Sequence, residues 1–236
     1  LPVENPATGE RLCEVALGTG ADVERAVRAA RRAFDDGPWS RMGARERGRR
    51  LRRFAERIWD HREELALLVS LENGKTFRAA LQGDVGPGAA CLRYFSELAD
   101  KQLGEVLPVE GSFHTVAVRE PLGVVGAIVP WNFPVSLACW KLGPALASGC
   151  TVVLKPSELT PLSALRLGEL SLEADLPPGV LNVVPGLGAG AGEALARHTD
   201  VDKISFTGSG RTARRLLAAP VPDEGLGLAI NDRLRR

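Results

Sequence analysis

Apolar residues recur three and four positions apart through the first hundred residues. Over 21–36 the spaced set is Val23, Ala26, Val27, Ala30, Ala33 and Phe34, with arginines between them. Over 44–61 it is Leu51, Phe54, Ala55, Ile58 and Trp59. That period predicts amphipathic helices. A leucine-rich third helix over 63–72 is expected to stop at Asn73-Gly74, because glycine readily takes the left-handed conformation that ends a helix. A fourth is predicted over 77–101, interrupted at Gly86-Pro87-Gly88.

The period changes after Leu103. Segments 105–109 and 114–119 are β-like and flank the turn residues Glu110-Gly111-Ser112, which predicts a hairpin that lies on the domain or projects to a partner subunit. Beyond Pro121, continuous apolar runs at 124–129, 151–154, 181–184 and 203–206 alternate with helical segments at 135–147, 163–173, 192–198 and 211–218. Strands apolar on both faces with helices between them are βαβ units, so the fold class is α/β with a doubly wound, Rossmann-like parallel sheet. Ligands of such sheets bind beyond the carboxyl ends of the strands.

Composition changes this picture little. The 236 residues are 44% hydrophobic and 25% charged, as in a soluble globular protein of one or two domains. No apolar run approaches the ~18 residues of a membrane span. A net charge of +1 gives no pointer to nucleic acid or to an anionic membrane. The helix at 44–61 carries Arg45, Arg47, Arg49, Arg50, Arg52, Arg53 and Arg57, which reads either as a nucleic-acid-binding face or as a solvated one. The interleaved Glu46, Glu56 and Asp60 favour the solvated face. Cys13, Cys91, Cys139 and Cys150 are widely spaced with no CxxC pair, so no metal site is expected. The opening residues show no leader pattern, and the cytoplasm is the expected location. The chain opens at Leu1 and its one methionine is Met42, which raises the expectation of an incomplete sequence.

Candidate chemistry sits at the strand ends. The first run leads into Pro130-Trp131-Asn132-Phe133-Pro134. There Asn132 is either ordinary turn chemistry or an amide held in a stiff turn to donate to a developing oxyanion. The second leads into Lys155-Pro156-Ser157-Glu158, either a surface salt bridge or a ribose-binding pair whose carboxylate repels a 2′-phosphate and so favours NAD over NADP. The third leads into a glycine run containing Gly188 and Gly192, between a strand and a helix, where free N–H groups and the helix dipole suit an anion. Its spacing is not GxGxxG. The fourth leads into Thr207-Gly208-Ser209-Gly210.

These segments together resemble the NAD(P)-dependent aldehyde dehydrogenase superfamily. The resemblance runs in order through Asn5-Pro6-Ala7-Thr8-Gly9-Glu10, the Pro130–Pro134 turn, Trp140-Lys141-Leu142-Gly143-Pro144-Ala145-Leu146-Ala147, residues 149–158 and Asp202-Lys203-Ile204-Ser205-Phe206-Thr207-Gly208-Ser209. It implies that Asn132 is the oxyanion-stabilising amide and that Lys155 and Glu158 hold the adenosine ribose. It also implies that Ile128, Val129, Pro130 and Trp131 line the cofactor cleft. Gly188 and Gly192 would be the family's glycine pair, with Phe206, Gly208 and Ser209 near the cofactor. The implied cofactor is NAD, with NADP less favoured. The implied division is a cofactor-binding domain over 1–102 and 122–219, a hairpin at 103–121 belonging to an oligomerisation element, and a divergent tail at 220–236. A homo-oligomer would form through that hairpin.

The family's reaction uses a cysteine thiolate to attack an aldehyde and a glutamate to activate water, giving a carboxylic acid. Where the glutamate motif would fall, this sequence has Ile230-Asn231-Asp232, and none of its four cysteines sits in the family's cysteine motif. The resemblance therefore implies a chain that carries the cofactor side of the enzyme, inactive alone, with the fifth strand of the sheet missing. The other reading is a non-catalytic cofactor-binding or subunit-interaction module.

Overall fold

The computed structural model describes residues 1–217 and the backbone of a strand at 227–231. Two short strands, β1 (Pro2–Glu4) and β2 (Arg11–Glu14), pair antiparallel at the start of the chain. The sequence pattern had given helices only for this part. Val3 is the one residue of the ribbon that is fully buried, so the pair leaves no alternation to read.

Four helices follow: α1 (Gly20–Asp35), α2 (Pro38–Arg41), α3 (Ala44–Asp60) and α4 (Arg62–Asn73). Helix α1 opens on a capping box. The Thr19 N–H and hydroxyl both donate to Asp22, which satisfies groups that a helix start otherwise leaves open. Helix α4 stops at Gly74, whose φ of +82° is the left-handed conformation expected there. The seven arginines of α3 are all held locally. Arg49 and Arg50 meet Glu46, Arg52 meets Glu56, Arg57 meets Asp60, Arg53 meets Asp175 and Arg45 meets Asp100. Arg47 donates to the carbonyls of Met42 and Ala147. This is the solvated, salt-bridged face.

The segment expected as one interrupted helix is α5 (Phe77–Ala80), a π-helical turn over Leu81–Val85 and α6 (Gly86–Leu98). The irregularity therefore precedes Gly86-Pro87-Gly88, and the helix runs on through those residues. Proline is tolerated there because it falls within the first turn of α6. Gly88 is needed because a Cβ would meet Val135 at 3.0 Å and the Cys139 sulfur at 3.2 Å, so α6 packs closely on the later helix that carries those two residues.

Strands β3 (Glu105–Leu107) and β4 (Thr115–Ala117) form the expected hairpin, almost wholly exposed. Then come β5 (Val124–Ile128), α7 (Pro134–Ser148), β6 (Thr151–Lys155), α8 (Leu162–Glu173) and β7 (Leu181–Val183). A π-helical turn at Gly188–Gly192 leads into α9 (Glu193–Ala196), so this helical segment starts four residues before the expected 192. Strand β8 (Lys203–Thr207), α10 (Gly210–Leu217) and β9 (Gly227–Asn231) complete the order.

The main sheet is all parallel, in the order β7-β6-β5-β8-β9. A fifth strand is thus present, against the sequence expectation. Gly227–Asn231 pairs with β8 from Lys203↔Gly227 to Thr207↔Asn231. The rest of the tail set apart at 220–236 lies outside the described residues. Alternate residues of the central strands feed two cores. Val125, Ala127, Val152 and Leu154 pack under α3, α4, α6, α7 and α8. Val124, Ile128, Val153, Ile204 and Phe206 pack under α1, α9 and α10. Covering both faces explains why these strands read as continuous apolar runs. Gly126 lies at the narrowest point, where a Cβ would come within 2.6 Å of Ile204 and 3.1 Å of Leu195.

Helices α4 and α8 are joined by a buried carboxylate. Glu72 accepts from the N–H groups of Leu162 and Ser163 at 2.7 and 3.1 Å and from the Ser163 hydroxyl at 2.5 Å. Burial nevertheless pushes its pKa up to about 7, and the charge of Asp84 adds to the rise. Between about pH 4.5 and 7 the folded chain keeps a proton that the unfolded chain gives up. Stability therefore falls as pH rises through that window, by roughly 3 kcal/mol at about 1.4 kcal/mol per unit. Glu72→Gln should flatten the fall. Melting temperatures for both proteins from about pH 5 to 7.5 check this, and parallel curves would refute it.

Candidate functional site

The chain runs from β5 outward through β6 to β7, then returns to the other side of β5 with β8. The strand order reverses between β5 and β8, which is where an open α/β sheet forms its ligand crevice. Ile128, Lys155 and Phe206 stand side by side in register at the carboxyl edge.

The turn after β5 is fixed by residues from the end of α4 onward. The Asn73 side-chain amide donates to the Trp131 carbonyl at 2.7 Å. The Lys75 ammonium donates to the Asn132 carbonyl and lies 3.8 Å from the centre of the Phe133 ring. Lys75 is paired at 3.3 Å with Asp84, which is fully buried in the π-helical turn. Asp84 in turn accepts the Ser136 N–H at 2.7 Å in the first turn of α7, and the Ser136 hydroxyl donates to the Asp84 carbonyl at 2.7 Å. The backbone of the turn is thus tied down on several sides while the Asn132 side chain stays exposed.

That turn walls a cavity of about 690 Å³ with Gly83, Pro87, Ser136, Trp140 and the Thr207-Gly208-Ser209 segment after β8. Five of the sequence-predicted site residues, Pro130, Trp131, Asn132, Gly208 and Ser209, are brought together here. Gly208 can only be glycine, because a Cβ would stand 2.5 Å from the Phe206 ring.

A second group lies at the end of β6. Lys155 is buried, and its ammonium meets the half-exposed Glu158 carboxylate at 3.3 Å. Burial lowers the Lys155 pKa, and Glu158 partly offsets that. Gly192 faces the Lys155 stem, its Cβ position 3.9 Å from Lys155 Cδ and Cε. Gly188 is exposed at the start of the π-helical turn, with nothing within 4 Å of where a Cβ would be. Ile128 and Phe206 are buried beneath, in the core under α1, and Val129 is buried in the opposite core. A nucleotide cofactor fits the surface of this region. A cation and a carboxylate stand together at a strand end, and a glycine leaves open space at the start of a helical turn whose first N–H groups have no helical partner.

The thiols lie elsewhere. No cysteine lines the 690 Å³ cavity. Cys13 is on the first ribbon, and burial pushes the Cys91 thiol up to about 11 and raises Cys139 well above its usual range.

Sequence reasoning missed Asn73, Lys75, Asp84 and Ser136, the residues that hold the turn. Asn73-Gly74 had been read as a helix stop alone. A buried-carboxylate reading of Asp84 had no local cue, because its partners lie 9 and 52 residues away.

The model for the aldehyde dehydrogenase family matches residues 1–224. This chain belongs to that family. The mitochondrial aldehyde dehydrogenase family 2 member B4 of Arabidopsis thaliana is 49% identical over 234 residues, 99% of this chain and 42% of its own length. The NADP/NAD-dependent aldehyde dehydrogenase PuuC of Escherichia coli is 50% identical over 213 residues, 90% of this chain and 43% of its own. PnpE from Pseudomonas sp. WBC-3, solved in complex with nicotinamide adenine dinucleotide, superposes with a TM-score of 0.94 at 49% identity. That match covers 98% of this chain and 47% of PnpE. The chain therefore spans less than half the length of these aldehyde dehydrogenases. Among its described residues no helix is long and apolar enough to cross a membrane.

Proposed function

We propose that this chain carries the nicotinamide-cofactor side of an oxidoreductase that converts an aldehyde to a carboxylic acid, with NAD rather than NADP as the acceptor. The observation that carries the reading is the cavity at the β5/β8 switch point. Its wall presents the Asn132 amide, and the Lys155–Glu158 pair stands at the next strand end. Bound there, NAD supplies the hydride acceptor. Asn132 donates to the aldehyde oxygen as it gains negative charge, and the tied backbone of its turn keeps the amide in place without reorganisation. Glu158 accepts from ribose hydroxyls and repels a 2′-phosphate, while Lys155 donates from below. Gly188 and Gly192 let the cofactor approach the backbone. Gly208 and Ser209 lie near the pyrophosphate and the nicotinamide side, and Ile128, Val129, Pro130 and Trp131 line the cofactor cleft, with Phe206 beside it.

Acyl transfer to water needs a thiolate and a base at the same cavity. With no cysteine lining that cavity, we propose that the 236-residue chain binds cofactor but does not oxidise aldehydes. The exposed hairpin, with Leu103, Val106, Phe113 and Val118 at 66–79% exposure, favours the reading of a subunit-pairing element, and a cytoplasmic setting suits four free thiols. One set of measurements tests these proposals. Calorimetric titration with NAD should give saturable heat, and incubation with NAD and an aldehyde should give no NADH. Absence of heat up to the millimolar range would overturn the cofactor assignment, and NADH production by pure chain would overturn the inactivity.

A further inference from the structure

On the other side of Trp140 lies a second cavity, of about 590 Å³, between α7, β8 and the base of the hairpin. Trp140 lines both cavities. The wall of the second is mixed, with Leu122, Val125 and Pro144 beside polar and charged residues, and Lys141 opens onto it. Lys141 is 8% exposed, and its ammonium nitrogen meets the Ser205 hydroxyl at 3.2 Å. No carboxylate pairs with it among the described residues.

The chain has five lysines, which makes the contrast direct. Lys75 is paired with Asp84, Lys101 with Asp100 and Lys155 with Glu158. Each of those amines has a carboxylate partner. Lys203 borders the same cavity as Lys141 and is only half-buried. Lys141 alone combines burial, a neutral partner and an adjoining open cavity large enough for a small organic molecule.

We propose that Lys141 is a covalent capture site for aldehydes, forming an imine with a small aldehyde held in the 590 Å³ cavity. The neutral amine adds its lone pair to the carbonyl carbon, giving a C–N bond and a carbinolamine. The carbonyl oxygen then leaves as water with the two protons of the amine, and a C=N bond remains. No oxidant or reductant is consumed. Ser205 is the positioning residue, its hydroxyl holding the amine and passing a proton toward the departing oxygen. Buried amines are the ones that do this chemistry, because loss of hydration favours the neutral form. Burial lowers the Lys141 pKa to about 8. The other charged groups on the wall are Arg119, Lys203 and Glu120, two cations against one carboxylate, which does not restore the charge on Lys141. The proposal needs no cofactor and is independent of whether the chain oxidises aldehydes.

The test is reductive trapping. The intact chain is incubated with benzaldehyde and cyanoborohydride near neutral pH, and benzylated lysines are mapped by peptide mass spectrometry. Lys141 should be modified at least about tenfold faster than Lys101 or Lys203, which lack its combination of burial and cavity-facing placement. The rate at Lys141 should level off above about pH 8. Lys141→Arg should remove the fast adduct, and Ser205→Ala should slow it several-fold with Lys141 still present. Equal labelling of the lysines and the Leu1 amine would overturn the proposal. So would a fast adduct that persists in Lys141→Arg. If that variant fails to fold, the map and pH profile of the unaltered chain decide alone.

Discussion

Asp84→Ala should destabilise the chain by about 3–5 kcal/mol, the range for removing one partner of a buried, hydrogen-bonded ion pair. The carboxylate is wholly out of solvent, and it ties Lys75 to the first turn of α7. Its loss leaves the Lys75 ammonium, whose side chain is only 19% exposed, without a counter-charge, and it orphans the Ser136 N–H at the start of α7. A domain of this kind has about 5–15 kcal/mol in hand, so this one change takes a large share of it. Asp84→Asn retains an acceptor for Ser136 and should cost less, with the difference reporting the charge. Denaturant midpoints with unchanged slopes are the measurement. A cost below about 1 kcal/mol for alanine would mean that Lys75 and Ser136 find water instead. The same substitution should loosen the Asn132 turn, because Lys75 bonds the Asn132 carbonyl and covers the Phe133 ring. On the proposed assignment, cofactor or aldehyde binding should then weaken even under conditions where the chain is still folded.

The extent to which this arrangement was legible in the sequence follows the range of the interactions. Strands β5 and β6 were legible because burial on both faces writes itself into every position, β8 because Ile204 and Phe206 alternate with half-buried residues, and their ends marked the candidate site. The helices of the first hundred residues followed from their spaced apolar faces. The β1–β2 ribbon was not legible, because a strand with one buried residue has no alternation. The π-helical turn at Leu81–Val85 was not either: it adds one residue to a helical ladder without altering the apolar pattern, yet it is what carries Asp84 to Ser136. Strand β9 was not legible: it is as long as β5, but it begins with glycine and follows a proline-containing stretch. The chemistry-bearing residues at the strand ends were legible, whereas the residues that fix them were not. Asn73 reaches Trp131 and Lys75 reaches Asn132 across 58 and 57 residues, and no local pattern encodes such a contact.

The other large effect concerns cofactor choice. On the proposed assignment, Lys155→Met should weaken NAD binding by about 10- to 100-fold, the equivalent of one hydrogen bond to a charged group at about 1.5–3 kcal/mol. Methionine keeps the buried stem that packs beneath Gly192 and removes only the donor, so the fold should survive. Glu158→Gln acts differently. Its carboxylate is half-exposed and bonded to Lys155, and burial already lowers the Lys155 pKa while Glu158 works to raise it. Glutamine keeps an acceptor for a ribose hydroxyl but removes the negative charge that opposes a 2′-phosphate. NAD should therefore lose several-fold and NADP should gain, moving the ratio of the two affinities by about tenfold. Parallel calorimetric titrations with both dinucleotides read this out. A fall of equal size for both would show that Glu158 only steadies Lys155, whereas opposite changes require the carboxylate to face the ribose. Salt separates the two effects further: an exposed charge repelling a phosphate is screened at high ionic strength, so the discrimination by the unaltered chain should shrink as salt rises, and that of Glu158→Gln should not.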